Sequence, residues 1–213
     1  LKSLLFTLNL QMDWILNNIY NATRNYSPII FAEGETRIEK LTLALEDRWY
    51  YSHSGIDWRA VPRVIRQLVN FKRVGGVSTI EQQLIRTVLE RRERTIRRKS
   101  RELVLAYILS HRMSKRDILR CYLAMAYFGY RLRGCDEVAQ IMFSIDAPDL
   151  NREQAAFVAS LLVYPMPSTV RFGASYLFPI SNIDGFLDSA STFAPKWARR
   201  VRRRMRYGLL RAN

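Results

Sequence analysis

This chain is poor in the residues that cross-link small proteins or hold structural metals. Two cysteines, Cys121 and Cys135, and two histidines, His53 and His111, occur in 213 residues, with no Cys-x-x-Cys spacing. That argues against a structural zinc site, whose ligands come in short paired spacings. A disulfide between the two cysteines stays open, and nothing in the sequence supports it. No run of about 18 apolar residues occurs, so the chain does not span a membrane as written. It opens on Leu1 rather than methionine, which leaves room for an upstream anchor or signal. No strand-length alternation predicts a sheet, and there is no internal repeat. Acidic residues are also in short supply, with 19 Asp plus Glu against 34 Lys plus Arg, a formal charge of +15. That surplus favours a polyanionic partner: nucleic acid, an anionic membrane surface or a phosphate-bearing substrate.

The chain has enough apolar material, at 48% hydrophobic residues, to bury a core as one domain or two lobes. Residues 1–24 place Leu4, Leu5, Leu8, Leu10, Trp14, Ile15 and Ile19 at roughly helical spacing. This predicts an amphipathic helix that packs on the domain or lies in a bilayer interface. Residues 25–35 read as a loop, and 59–70 as a helix with Pro62 in its first turn. Residues 71–77 read as a mobile basic loop. The apolar run 103–109 predicts a helix buried on nearly every side. Ser114 with Asp117, and Asn151 with Gln154, are helix-start capping patterns. Residues 169–194 look irregular, and a basic helix with Trp197, Val201 and Met205 on one face closes the chain.

Three stretches carry chemistry. In 43–57, Glu46 and Asp47 adjoin Arg48 and precede Tyr50, His53, Gly55 and Asp57. Neighbouring charge and burial tune a carboxyl toward working pH, which makes Glu46 a candidate general base. The same residues also describe a charged helix end followed by a turn. In 78–84, Ser78 or Thr79 caps a helix that brings Gln82 and Gln83 to its start. Hydroxyls, amides and free N–H groups gathered there suit sugar hydroxyls or phosphate oxygens. Third, the cations of 86–99, among them Arg86, Arg94, Arg98 and Lys99, run into Glu102. A charge run of this kind is ordinarily a solvated face. Here Glu102 is a second carboxylate held by cations, placed to bind a metal or orient an anion.

Together these stretches resemble the peptidoglycan glycosyltransferases of family 51, the transglycosylase domains of penicillin-binding proteins and their monofunctional relatives. Glu46, Asp47, Arg48, Tyr50, His53, Gly55 and Asp57 look like the opening motif, with tyrosine where the family has phenylalanine. Ser78, Thr79, Ile80, Gln82, Gln83 and Leu84 look like the second. Arg98, Lys99 and Glu102, with Ser114 and Lys115 beyond, look like the third. Tyr122, Leu123, Tyr127, Phe128, Gly129 and Gly134 look like the fourth, and a segment around Ala155 and Ala156 follows. The resemblance covers roughly 38–168. It implies a mostly α, lysozyme-like domain with a smaller membrane-proximal lobe, with 1–37 as an N-terminal helix and loop and 38–213 as the glycosyltransferase domain.

The implied activity is polymerisation of lipid II on the extracytoplasmic, periplasmic face of the cell membrane. In it the acceptor's GlcNAc 4-hydroxyl attacks the donor's anomeric carbon with inversion, and polyprenyl pyrophosphate leaves. By the same resemblance Glu46 is the base and Glu102 the second catalytic glutamate, which holds the cations in place or shares a divalent ion, Mg²⁺ or Mn²⁺, with the pyrophosphate. Asp47, Tyr50, His53, Ser78, Thr79, Gln82, Gln83, Arg86, Arg94, Arg98 and Lys99 are expected on the substrate, His53 structural or orienting. The partners implied are lipid II, the growing glycan strand, a membrane surface and cross-linking transpeptidases, with no nucleic acid. A transpeptidase domain does not fit in the remaining residues, so the chain is expected to be monofunctional. Departures from the pattern include Val77, Glu81 for a usual threonine, Arg86 and Thr87 for a Lys-Asn pair, Ala124 for an asparagine, and Ser144 and Ile145 for Gly-Lys. They motivate an alternative: a non-catalytic envelope protein of the same fold that binds the precursor or scaffolds cell-wall synthesis.

Overall fold

The computed structural model describes residues 2–24, 27–60, 62, 66, 78–90 and 95–212. Arg94, the basic loop expected at 71–77 and most of the helix expected at 59–70 lie outside them. Among the described residues there are eleven α-helices and one short hairpin, so the protein is mostly α, as the sequence predicts. None of these helices is long and apolar enough to cross a membrane. The chain divides into two compact units, each built from two stretches: Leu1–Asn25 with Glu46–Tyr122, and Tyr26–Leu45 with Leu123–Asn213.

In the first unit, α1 (Lys2–Thr23) packs on α4 (Ile80–Leu89) and α5 (Ile96–Arg112), which pack on each other. Met12, Ile15 and Ile19 form the buried stripe of α1, while Phe6, Leu10 and Trp14 stay exposed. Burying three such side chains contributes several kcal/mol, so packing on the domain is the role the structure gives this helix. α5 is capped by Thr95, whose hydroxyl accepts from the Arg98 N–H, so Arg98, Lys99 and Glu102 share one helix. Leu105, Ala106 and Leu109 are buried, but Val104 and Tyr107 are 42% and 50% exposed. The expected burial on nearly every side is therefore corrected: a seven-residue apolar run is wider than the face α5 turns to its neighbours. α6 (Lys115–Met125) starts at the predicted cap, with Ser114 and Asp117 bonded reciprocally.

The second unit contains α2 (Pro28–Phe31), most of α3 (Arg37–Glu46), the hairpin β1 (Tyr127–Gly129) and β2 (Leu132–Arg133), α7 (Cys135–Phe143), α8 (Arg152–Leu161), α9 (Ser168–Gly173), α10 (Ile183–Phe193) and α11 (Pro195–Arg211). The hairpin corrects the expectation of no sheet, because strands of two and three residues are too short to show alternation. Gly134, at φ +80°, precedes α7; a Cβ there would lie 2.5 Å from the Ala124 carbonyl oxygen. Asn151 and Gln154 form the predicted capping box of α8. Its Phe157 stacks edge-on against Phe143 and Phe186 at centroid distances of 6.1 and 5.8 Å. Residues 169–194, expected to be irregular, hold most of α9 and all of α10. Gly185 and the Ser/Thr positions of α10 weaken its local signal, and burial of Phe186, Leu187 and Ala190 supplies the stability. α11 lies on α8 and α10 through Ala198, Val201, Met205 and Gly208. Both cysteines are free and buried, and burial pushes the Cys121 thiol up to about 11.

Candidate active site

The site is built in the first unit around the first turn of α4. Thr79 is its N-cap, accepting from the Gln82 N–H, and donates its own hydroxyl to the Gly55 carbonyl at 2.9 Å. The Gln82 amide donates to the same carbonyl at 3.0 Å. Gly55 must be a glycine, since at φ +80° a Cβ would lie 2.4 Å from the Ala106 carbonyl oxygen. Asp47 accepts from the Ile80 N–H at 3.2 Å, and both its oxygens lie 3.1 Å from His53 Nε2. A carboxylate at a helix N-terminus is favoured by the orphan N–H groups and the dipole. These four side chains fasten the loop after α3 to the start of α4. Asp47, Thr79 and Gln82, expected on the substrate, are buried in doing so and support the loop and helix start.

The groups left to face a ligand form one hydrogen-bonded path. Glu46, half-buried at the end of α3, accepts from the Gln83 amide at 3.3 Å. The Gln83 carbonyl oxygen accepts from the Tyr122 hydroxyl at 2.6 Å, and its amide reaches the Ser78 carbonyl at 3.5 Å. The Ser78 hydroxyl accepts from Arg86 and Lys99, each at 3.2 Å. Both cations continue to Glu102, Arg86 at 2.6 Å and Lys99 at 3.0 Å, and Arg98 reaches its other oxygen at 2.9 Å. Lys99 also donates to Gln82 at 2.6 Å.

Glu102 is 2% exposed and carries three cations. Burial raises its carboxyl, but bonds and charge from Arg86 and then Lys99 outweigh this and hold it below the ordinary value. Three positive charges on one carboxylate leave a net positive cluster with Arg86 and Lys99 partly open to solvent, which suits a multiply charged anion. Burial lowers the Lys99 ammonium, with Glu102 opposing and Arg86 adding to the shift, so a second anion beside it would favour the charged form further.

A folded-state carboxyl held low contributes stability above its unfolded pKa and loses it as pH falls through the folded one. Glu102→Gln is therefore expected to cost roughly 2–4 kcal/mol at pH 7. The gap to the wild type should narrow as pH is lowered toward about 3. Urea unfolding at a series of pH values reads both; a gap independent of pH would remove the carboxylate as its cause.

Beside this path lies a buried ion pair absent from the expected site. Glu81 is fully buried and pairs with the Lys115 ammonium, which also stands 4.2 Å over the Tyr50 ring. The Tyr50 hydroxyl donates to the Lys115 carbonyl at 2.8 Å. Burial, and then the Glu81 charge, push that phenol well above its ordinary value, so it stays protonated. Tyr50, expected on the substrate, is buried, with Lys115 over its ring and at its hydroxyl. Its own identity and that of Glu81 are both departures from the resemblance, and the two meet at one lysine. An acidic residue on the apolar face of a helix start was the available signal, since a buried carboxylate demands a cation.

Asp47, His53 and Glu81 also place one ligand atom each within 4.8 Å of one another, a spacing that can hold a metal ion. Lys115 already puts a cation on Glu81. Glu102 fits a metal poorly, because each of its oxygens is taken by two cationic donors.

The family model described as Transglycosylase matches residues 14–174. The chain belongs to the transglycosylase family. It is similar to the biosynthetic peptidoglycan transglycosylase of Alcanivorax borkumensis, 35% identical over 74% of this chain and 59% of that protein. The corresponding protein of Bordetella avium is 31% identical over 68% of this chain and 62% of its own. Penicillin-binding protein 1F of Bacillus subtilis is 31% identical over 65% of this chain and 20% of its own. The chain thus spans about three-fifths of the first two relatives and a fifth of the third. Within the family's matched range lie Glu46, the α4 start and the cation cluster. Arg86, a departure from lysine, keeps the charge and brings two nitrogens of its fork to the two oxygens of Glu102, at 2.6 and 3.4 Å, while one of them also reaches Ser78.

Proposed function

We propose that the chain is a peptidoglycan glycosyltransferase that polymerises lipid II with inversion and release of polyprenyl pyrophosphate. The observation that carries this reading is the unbroken path from a half-buried carboxylate to a three-cation cluster. Glu46 takes the proton of the acceptor's 4-hydroxyl as it attacks the donor's anomeric carbon, and Gln83 orients the carboxylate. As the sugar–oxygen bond breaks, negative charge gathers on the pyrophosphate, where Arg86, Arg98 and Lys99 meet it with charge-assisted donors. Glu102 holds those three side chains in place before substrate arrives, so little reorganisation is left for the reaction. Ser78 sits between proton transfer and leaving group, placed for a sugar or phosphate oxygen.

The reading puts the protein at the extracytoplasmic face of the cell membrane, with lipid II and the growing strand as ligands and transpeptidases as the enzymes that consume its product. A divalent ion, Mg²⁺ or Mn²⁺, belongs to the expectation, and no step above passes through it. The test is incubation of the chain with labelled lipid II in detergent or liposomes, with the divalent ion and with chelator. A ladder of glycan products is expected. Binding of lipid II with no polymer would favour the non-catalytic envelope protein, and equal yield in chelator would remove the divalent ion.

A further inference from the structure

Among the described residues, the strongest charge outside the site lies on α11, beyond the range 14–174 that the family model matches. Successive helix residues are about 100° apart. Ala198, Val201, Met205 and Gly208 therefore fall on one side of α11, and these are the positions buried against α8 and α10. Lys196, Arg199, Arg203 and Arg206 fall on the opposite side, within about 80° of arc. All four are exposed, and none makes an ion pair or hydrogen bond among the described residues. Arg202, nearer the packed side, is by contrast held by Asp184 and Asp188 at 3.1 and 2.6 Å. The protein thus neutralises a cation at the edge of this helix and leaves the outward row bare.

The row carries apolar surface before its last cation, Arg211, which stands 4.5 Å over the Tyr207 ring. Tyr207 and Leu210 fall on the same side one turn further on, 44% and 78% exposed. A leucine that open costs solvation in water and gains where an acyl boundary meets it, while a tyrosine suits the headgroup level. Cations over about 15 Å with an exposed tyrosine and leucine set among them form the pattern of a helix lying in a membrane interface. A nucleic-acid backbone would use the cations and leave Leu210 unexplained.

We propose that the outward face of α11 is a docking surface for anionic phospholipid, with Lys196, Arg199, Arg203 and Arg206 on headgroup phosphates and Tyr207 and Leu210 in the interface. The proposal rests on the membrane-face location above for its choice of lipid, and its test involves no turnover, so the two readings fail separately. The full chain is mixed with vesicles of phosphatidylcholine alone and with about one-third phosphatidylglycerol, and binding is read by co-sedimentation in about 0.1 M salt.

Replacing Lys196, Arg199, Arg203 and Arg206 together by glutamine is expected to weaken binding to the anionic vesicles on the order of a hundredfold. Replacing exposed Arg37, Lys40, Arg97 and Arg116 instead, the same change in net charge, should weaken it less than about fivefold. Tyr207→Ser with Leu210→Ser should weaken vesicle binding roughly tenfold and leave binding to a short DNA duplex unchanged. Far-ultraviolet circular dichroism confirms that these surface variants stay helical. Equal losses in the two fourfold variants would overturn the proposal, leaving net charge as the whole effect. So would vesicle binding indifferent to Tyr207 and Leu210, which would make α11 a general polyanion surface.

Discussion

Glu46→Gln is expected to lower the rate of glycan polymerisation by about two to four orders of magnitude, the range a positioned general base contributes. The substitution is nearly isosteric. Its amide can turn an oxygen toward Gln83 Nε2, which donates to Glu46 at 3.3 Å, so the local fold is kept. What is lost is the capacity to accept the proton of the attacking hydroxyl. Binding should be nearly untouched, because the cations that meet the pyrophosphate are held by Glu102 and not by Glu46. Single-turnover polymerisation and lipid II binding, measured side by side, separate the two. Asp47→Asn provides the contrast. Asp47 is buried against His53 and the Ile80 N–H, so that change should appear first as lost stability. A Glu46→Gln protein polymerising within about threefold of the wild type would end the assignment of Glu46 as base.

The second large effect concerns stability. Lys115→Met leaves the Glu81 carboxylate fully buried with its cation removed, which should cost about 3–5 kcal/mol. Glu81→Thr is milder, since Lys115 keeps some contact with water and its place over the Tyr50 ring. Combining them should restore most of the loss, because a buried pair exchanged for smaller or apolar groups is close to neutral. The expected coupling is therefore about 2 kcal/mol or more, read as a double-mutant cycle in urea unfolding. Costs that simply add would show that the two side chains do not act as a pair. Tyr50 enters the same unit through the Lys115 carbonyl. Positions 50 and 81, both departures from the family pattern, thus meet at the same lysine.

How much of this could be read beforehand depended on sequence distance. The caps at Thr79, Ser114 with Asp117, and Asn151 with Gln154 are satisfied within three residues, so their chemistry is visible locally. The run from Arg86 to Glu102 was legible because Arg98, Lys99 and Glu102 share a helix. Glu81 with Lys115, 34 residues apart, and Tyr50 with Lys115, 65 apart, were not, since nothing local pairs them. Asp47 is expected on the substrate because motif residues near a base are the natural contacts, with His53 structural or orienting. In the structure Asp47 bonds the helix start and His53, a link to position 80 that nothing local announces. Exposure of Val104 and Tyr107 escaped for a related reason: a continuous apolar run says that burial is available, and the neighbours decide how much of the circumference is used.

Gln83 and Arg86 sit three residues apart on α4, so the side chain bonded to Glu46, the proposed base, and one bonded to Glu102 in the proposed pyrophosphate cluster are separated by about 4.5 Å of helical rise. The helix is a ruler whose graduations are backbone atoms. Substitution changes what stands at a mark and leaves the spacing alone. Inserting or deleting one residue between the two would turn Arg86 about 100° away from Ser78 and Glu102 while Gln83 kept its place. Such a protein could retain every motif residue and still hold the two halves of the reaction out of line.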